Sequence, residues 1–266
     1  MSRAIDLLPP ELKTFFEHHR TEIVIRAIDP DLWRNVGWDE DPNHFLDLGV
    51  KEYGRYPFTE LPRELDAAIE KFGITTVKRY GLLPWRTTEM FGSLRRTFER
   101  LPSAPPYGPS DLILFSATVG HYVQDAHQPF HASDNFDGQQ TGNDGIHTRF
   151  ERDLVEKFES RLTLKPSAPK RIAGVHDFAF DALLTSYRQV DAILKADTES
   201  IAGKDTYDGE YFERLFARTR PILEERLSAA ITATASIIIT AWEQAGRPQL
   251  ALEGARPVEK VKKPQR

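Results

Sequence analysis

The chain has 266 residues, 40% of them hydrophobic and 28% charged, with a formal net charge of -5. That is enough apolar material for one sizeable core, and the slightly acidic balance gives no electrostatic footprint for duplex nucleic acid. Cysteine is absent, which rules out disulfides and thiolate metal sites, so any metal must be held by His, Asp and Glu.

Strand signals are scarce and helical periods are common. Met1 to Leu12 lacks the apolar stretch and small-residue cleavage site of a secretory signal. Pro9-Pro10 opens a helix with Leu12, Phe15, Phe16, Ile23 and Ile28 at roughly helical spacing, ended by Asp29-Pro30-Asp31. A Gly/Pro-punctuated loop leads to about Phe58. Short helices follow over Leu61–Phe72 and Ile74–Tyr80, and Pro84 opens another to about Arg100. Leu101–Pro109 reads as a Pro-rich linker. Ser110 is placed as the N-cap of a helix from Asp111 to about His127, stopped by Pro129.

A polar Gly/Asn loop occupies Ala132–Asp144, and the next helix runs from about Gly145 to Phe158. After a Pro-containing connector at Lys165–Lys170, helices around Asp177–Lys195 and Gly209–Gly246 complete the pattern. The apolar run Ala229–Trp242 is too short to cross a bilayer and reads as buried helix, so no transmembrane segment is expected. Fold class is therefore all-α, a single multi-helix domain over 1–253, with a disordered basic tail over 254–266.

The chemistry concentrates in one stretch. His121 and Asp125 stand four apart on one helix, within reach of one ion. His131 follows past Pro129, and His147 and Glu151 form a second pair four apart on the next helix. Imidazole and carboxylate are the donors expected of a hydrolytic zinc site. One such pair is common by chance; two pairs joined by a loop bearing another His are specific.

The run His121-Tyr-Val-Gln-Asp125-Ala-His-Gln-Pro-Phe-His131, with His147 and Glu151, resembles the zinc-dependent phospholipase C and single-strand-specific zinc nuclease superfamily. Glu151 is similar to the bacterial phospholipases, where the fungal and plant nucleases usually carry Asp. Upstream, Asp31-Leu-Trp-Arg34 and Asn43-His44-Phe45 look like the family's Asp-x-x-Arg and His-Phe segments, so the likeness covers roughly Leu8 to Phe158. It implies one zinc held by Asp31, His44, His121 and Asp125 and a second by His131, His147 and Glu151.

The family's third zinc uses an N-terminal Trp, a nearby His and the Asp matching Asp125. This sequence begins Met1-Ser2-Arg3-Ala4, and His18 and His19 lie far along the first helix. Two zinc ions are therefore expected in this chain. Either the true start lies upstream, with a signal peptide as in the mostly exported family, or the third ion is lost.

Asp31, Arg34 and Asp47 are the candidates for direct work on substrate. Arg34 lies one helical turn from Asp31 and could meet a phosphate; a plain surface Arg is the blander reading. Asp47 could be a base or an acid behind the ligands, or an ordinary loop carboxylate. His127 reads as a residue behind the ligands or at the surface, and Asn143 as a ligand-orienting or loop-capping side chain. Trp33, Trp38 and Trp85 could stack on a base or headgroup, with core packing the simpler reading.

The expected activity is zinc-dependent phosphodiester hydrolysis, phospholipase C-like, on a phospholipid headgroup. A single-strand nuclease is the alternative within the family, and a non-catalytic zinc-binding descendant is the alternative outside enzymology. A helical phosphohydrolase of the His-Asp type would need the pair His176-Asp177, which has no partners at convincing spacing.

Overall fold

The computed structural model describes residues 1–252 except Ala104 and Pro106. The tail over 254–266 lies outside the described residues. The architecture is all-α, with no strand among the described residues. Among the described residues, no helix is long and apolar enough to cross a membrane.

Helices α1 (Ser2–Asp6), α2 (Pro10–His18), α3 (Arg20–Arg26) and α4 (Asp29–Arg34) open the chain. The single N-terminal helix expected from the apolar period is thus broken. His19 leaves helical geometry at φ -102° and ψ 14°. Asp29-Pro30 starts a helix rather than ending one, because Pro is favourable in a first turn, where its missing N–H costs nothing. That reversal lifts Asp31 onto a helix facing the centre of the molecule.

After 3-10 turns at Asp41–His44 and Lys51–Tyr53 come α5 (Leu65–Phe72), α6 (Ile74–Arg79) and α7 (Leu83–Arg100). Helix α8 (Gly108–Asp125) starts earlier than expected: Tyr107 is its N-cap and Pro109 sits in its first turn, so Ser110 is already helical and does not cap.

Helix α8 is the axis of the fold. It packs on α7, α3 and α13, and most of its residues from Leu112 to Asp125 are buried. At Gly120, an added Cβ would come within 2.2 Å of the Met1 Cε and 3.3 Å of the Thr234 Cγ2. Glycine thus leaves room for the Met1 side chain and for α13 at Thr234.

Beyond a 3-10 turn at Pro129–Ala132, α9 (Ile146–Thr148) passes through a π-helical turn, Arg149–Asp153, into α10 (Leu154–Phe158). The expected regular helix over this stretch is therefore interrupted. The expected Asp177–Lys195 helix divides into α11 (Val175–Tyr187) and α12 (Val190–Ile201), and α13 (Gly209–Gln244) closes the fold with 36 residues.

The connector before α11 lies along α13. Amides of Thr163, Lys165, Ser167, Lys170 and Ile172 donate to side chains of Glu224, Ser228, Thr232, Ser236 and Thr240, one acceptor per helical turn. These bonds satisfy an extended backbone that has no sheet to pair with.

Two apolar cores form. The larger joins α1, α2, α7, α8 and the end of α13; the smaller gathers Phe130, Ile146, Phe150, Leu154 and Phe158 against α12 and the start of α13. Five of the seven expected ligands lie between the end of α8 and the π turn, while Asp31 stands on α4 and His44 on the Asp41–His44 turn.

Candidate metal centre

The structure collects the seven expected ligands into two neighbouring sets. Asp31, His44 and His121 offer donor atoms within 4.8 Å of one another, as do His131, His147 and Glu151. Asp125 belongs with the first set. Its Oδ2 is 3.1 Å from His44 Nδ1 and 3.2 Å from His121 Nε2, while its Oδ1 is 3.6 Å from His131 Nδ1. The His44–His121 and His44–Asp31 separations are 3.0 and 3.6 Å. In the second set, Glu151 Oε2 is 2.9 Å from His147 Nε2 and 3.8 Å from His131 Nε2. Donors arranged tetrahedrally about an ion at ~2.0–2.1 Å stand about 3.3 Å apart, so both sets need only small adjustments to fit one.

Backbone carbonyls choose the presented nitrogen. Nδ1–H of His121 donates to Ala27 O at 2.8 Å, that of His131 to His44 O at 2.7 Å, and that of His147 to Phe136 O at 3.0 Å. Each ring therefore turns Nε2, with its lone pair, to the centre. His44 is reversed, with Nδ1 inward. Its Nε2 is buried without a hydrogen-bond partner, 3.9 Å from Glu40 Oε1. Glu40 is itself buried, accepts the Tyr122 hydroxyl and faces Arg86.

Sequence reasoning missed both Glu40 and the Ala27 carbonyl. A carboxylate four residues before His44 was the one available signal. The His44 loop is pinned from outside by Leu46 N–H to His131 O and Leu82 N–H to Pro42 O.

The electrostatics fit a cation. Burial opposes protonation of His121, but Asp125 and Asp31 outweigh it and push the imidazole up to about 9. Burial likewise opposes the charge of Asp125, yet His121, His131 and His44 hold its carboxyl well below the usual range. Glu151 pays the same cost of partial burial and is held down to about 2 by His147, His131 and Gln128. A positive charge is thus stabilised between these carboxylates, and a divalent ion can take the place of the His121 proton.

The other candidates separate. Arg34 pairs with Asp41 at 2.5 Å and lies 3.8 Å from Asp31, at the half-exposed edge of the first set. Asp47 is half-buried and makes no hydrogen bond to any of the seven ligands. Burial, then the charge of Asp134, raises it to about 7. His127 is buried, and Nδ1–H donates to Val123 O, with burial lowering it to about 4. Asn143 bonds to no ligand and takes the loop-capping role: its Oδ1 accepts the Thr141 hydroxyl at 2.7 Å, and its amide donates to Asp197, Thr198 and Leu194 O.

Core packing holds for Trp85, buried against Phe180 with Nε1–H donating to Arg63 O at 2.5 Å. It fails for Trp38, which is 61% exposed and leans on Trp33 beside Asp31. His176 donates to or accepts from no expected metal partner. It faces Arg63 O at 2.8 Å, and Asp177 pairs with Arg63. His19 packs on Phe15, and His18 on His19, outside both sets.

A cavity of about 450 Å³ opens on the centre. Asp125, Gln128 and Glu151 reach it, with walls of Phe150, Val155, Leu162, Leu223, Leu227 and Ile231. The Met1 ammonium enters the same cavity and donates to Gln124 Oε1 at 3.3 Å. A larger groove of about 820 Å³ lies under the connector beyond His127, away from both donor sets.

No family model and no curated protein matches the chain. The likeness to the zinc phospholipases and nucleases is carried by the motif residues alone.

Proposed function

We propose that the chain is a zinc-dependent phosphodiester hydrolase of the phospholipase C type, related to the superfamily its motif resembles. The observation that carries this is the pair of adjacent donor sets, three of whose four imidazoles are turned inward by backbone carbonyls. Four imidazoles, three carboxylates and no thiolate suit zinc better than calcium or magnesium, which prefer all-oxygen sites. Zinc ions would be held by Asp31, His44, His121 and Asp125 and by His131, His147 and Glu151. Bound there, zinc supplies Lewis acidity, polarising phosphoryl oxygens and lowering the pKa of water.

The chain's own groups supply the rest. Asp31, the half-exposed member of the first set, has a carboxylate that can orient or deprotonate water. Arg34, beside it, is placed to meet a phosphate oxygen with charge-assisted hydrogen bonds. The apolar walls of the cavity take the apolar part of an amphiphilic diester and exclude water from its neighbourhood. That lining favours a phospholipid. The exposed Trp38 against Trp33, beside Asp31, is the feature that favours a single-strand nuclease, because bases stack on such platforms.

The test is turnover of bis-nitrophenyl phosphate by zinc-loaded protein, followed by phosphatidylcholine micelles and a single-stranded oligonucleotide. Hydrolysis that a chelator abolishes and zinc restores is expected, with the micelles cleaved faster. Two bound ions without turnover of any of the three would assign the chain to the non-catalytic descendants.

A further inference from the structure

The segment bearing His147 and Glu151 is anchored from behind by a buried ion pair. Arg149 lies between the two ligands in sequence. Its side chain is 7% exposed, against 25% for His147 and 47% for Glu151. It points into the protein and meets Asp197 of α12, itself 2% exposed, at 3.2 Å. Arg149 Nε donates to the Tyr211 hydroxyl at 2.8 Å, Nη1 to Asp144 O at 2.7 Å, and Nη2 to Asn143 O at 3.2 Å. Asp197 also accepts the Tyr211 hydroxyl and, at 2.8 Å, the Asn143 amide. The Tyr207 ring covers the guanidinium at 4.0 Å. At Gly145, φ is +80° and a Cβ would sit 2.8 Å from Arg149 Nη1, so glycine serves both the turn and the passage of the side chain.

We infer that Arg149 and Asp197 are positioning residues for the second donor set. This rests on the two-set metal reading. The pair ties the carbonyls of residues 143 and 144, the π turn and α12 into one unit, and so fixes where His147 and Glu151 present their donor atoms. A three-residue helix such as α9 has no hold of its own. A π turn carries one residue more than an α turn. Its relaxation would rotate Glu151 against His147 by up to about 100°, one residue's turn of an α-helix. Net stability alone explains the pair poorly, since replacing a buried ion pair by apolar residues is often neutral. The guanidinium is instead spent on the two carbonyls just ahead of the ligands.

The test is titration of the full chain with Zn²⁺ and with Co²⁺, reading both affinities by calorimetry and the coordination geometry by cobalt absorption. The variants are the double Arg149→Met with Asp197→Leu, which strands no charge, and Tyr211→Phe. Glu151→Gln identifies which affinity belongs to the second set. We expect that affinity to fall ten- to a hundredfold in the double variant, the range for groups behind metal ligands. The cobalt spectrum of that set should change, while the first affinity and the melting temperature of the metal-free protein stay near wild type. Tyr211→Phe should shift the same affinity by less, and it carries the test if the double variant does not fold.

Wild-type affinities and spectra in a folded variant, or an equal fall at both sets, would overturn the inference while leaving the two-ion reading intact. Fewer than two ions on the wild type would overturn both.

Discussion

The two donor sets share one wiring and differ in their footing. In the first, the side chains of His44, His121 and Asp125 are 4%, 10% and 10% exposed, only Asp31 reaching 44%, and two of them stand on the last turns of an 18-residue helix buried in the larger core. In the second, His131, His147 and Glu151 are 15%, 25% and 47% exposed, on a 3-10 turn and a helix interrupted by a π turn. Burial makes an unbalanced charge in the first set costly. The second set faces water and depends on its anchors. On the proposed two-ion reading, the first should therefore hold an ion tightly and fail abruptly when altered, and the second should exchange its ion and fail gradually.

The largest effect is expected at Asp125. Its carboxylate balances two imidazoles in a buried place, so Asp125→Asn should lower phosphodiester turnover by more than the ten- to hundredfold seen for groups behind the ligands. Turnover of bis-nitrophenyl phosphate and metal content measure this together; near-wild-type values of both would remove Asp125 from the centre. Next comes Glu151→Gln. Metal content should fall from about two equivalents to about one, with the first set still loaded, because only the second set loses a donor. Loss of both ions would mean that the sets are not separable.

What could be read from the sequence follows the same division. His121 and Asp125 were legible because a spacing of four on a long apolar helix dictates a shared face, and α8 is such a helix, whereas Asp31 and His44 were reached only through the family resemblance. His147 and Glu151 were legible as a pair, but not their π turn, because an inserted residue leaves no mark in a five-residue stretch of mixed character. The N-terminal break at His19 and the division of α11 from α12 were hidden because the apolar period runs on across both. Tertiary partners that orient ligands were hidden too. The Ala27 carbonyl is any residue's carbonyl, and Arg149 reads as a surface Arg until Asp197, 48 positions away, is brought to it. For Trp38 core packing is the simpler reading of the sequence and stacking the alternative, yet it lies exposed in the loop after α4.

A smaller effect separates the sets by pH. His121, raised to about 9 from an ordinary value near 6.5, stabilises the metal-free protein below about pH 6.5, and that contribution is lost as pH rises through about 9. Glu151, lowered to about 2, contributes above its ordinary value of about 4.3, and that is lost as pH falls toward 2. A zinc ion bound at the first set would take the place of the His121 proton, so the rise in melting temperature on adding zinc should be greater at pH 8.5 than at pH 6. An equal rise at both would contradict the proton held in the first set.

The smallest effect on turnover is expected from Asp47→Asn, about tenfold at most, since Asp47 bonds to no ligand of either set. Its carboxyl is raised to about 7 by burial and Asp134. Relative to an ordinary value of about 3.9, it stabilises the fold at acid pH, and that contribution is lost as pH rises through about 7. Asp47→Asn should therefore raise the melting temperature relative to wild type more at pH 8 than at pH 5. A drop in turnover as large as that of Asp125→Asn would instead place Asp47 in the reaction.

The most direct test of the paired centre is anomalous diffraction at the zinc edge from crystals grown with zinc. Two peaks are predicted, one among Asp31, His44, His121 and Asp125 and one among His131, His147 and Glu151, with the first the stronger after a brief soak in chelator. No peak at either set, or zinc bound only elsewhere on the surface, would contradict the assignment of these seven residues as a metal centre.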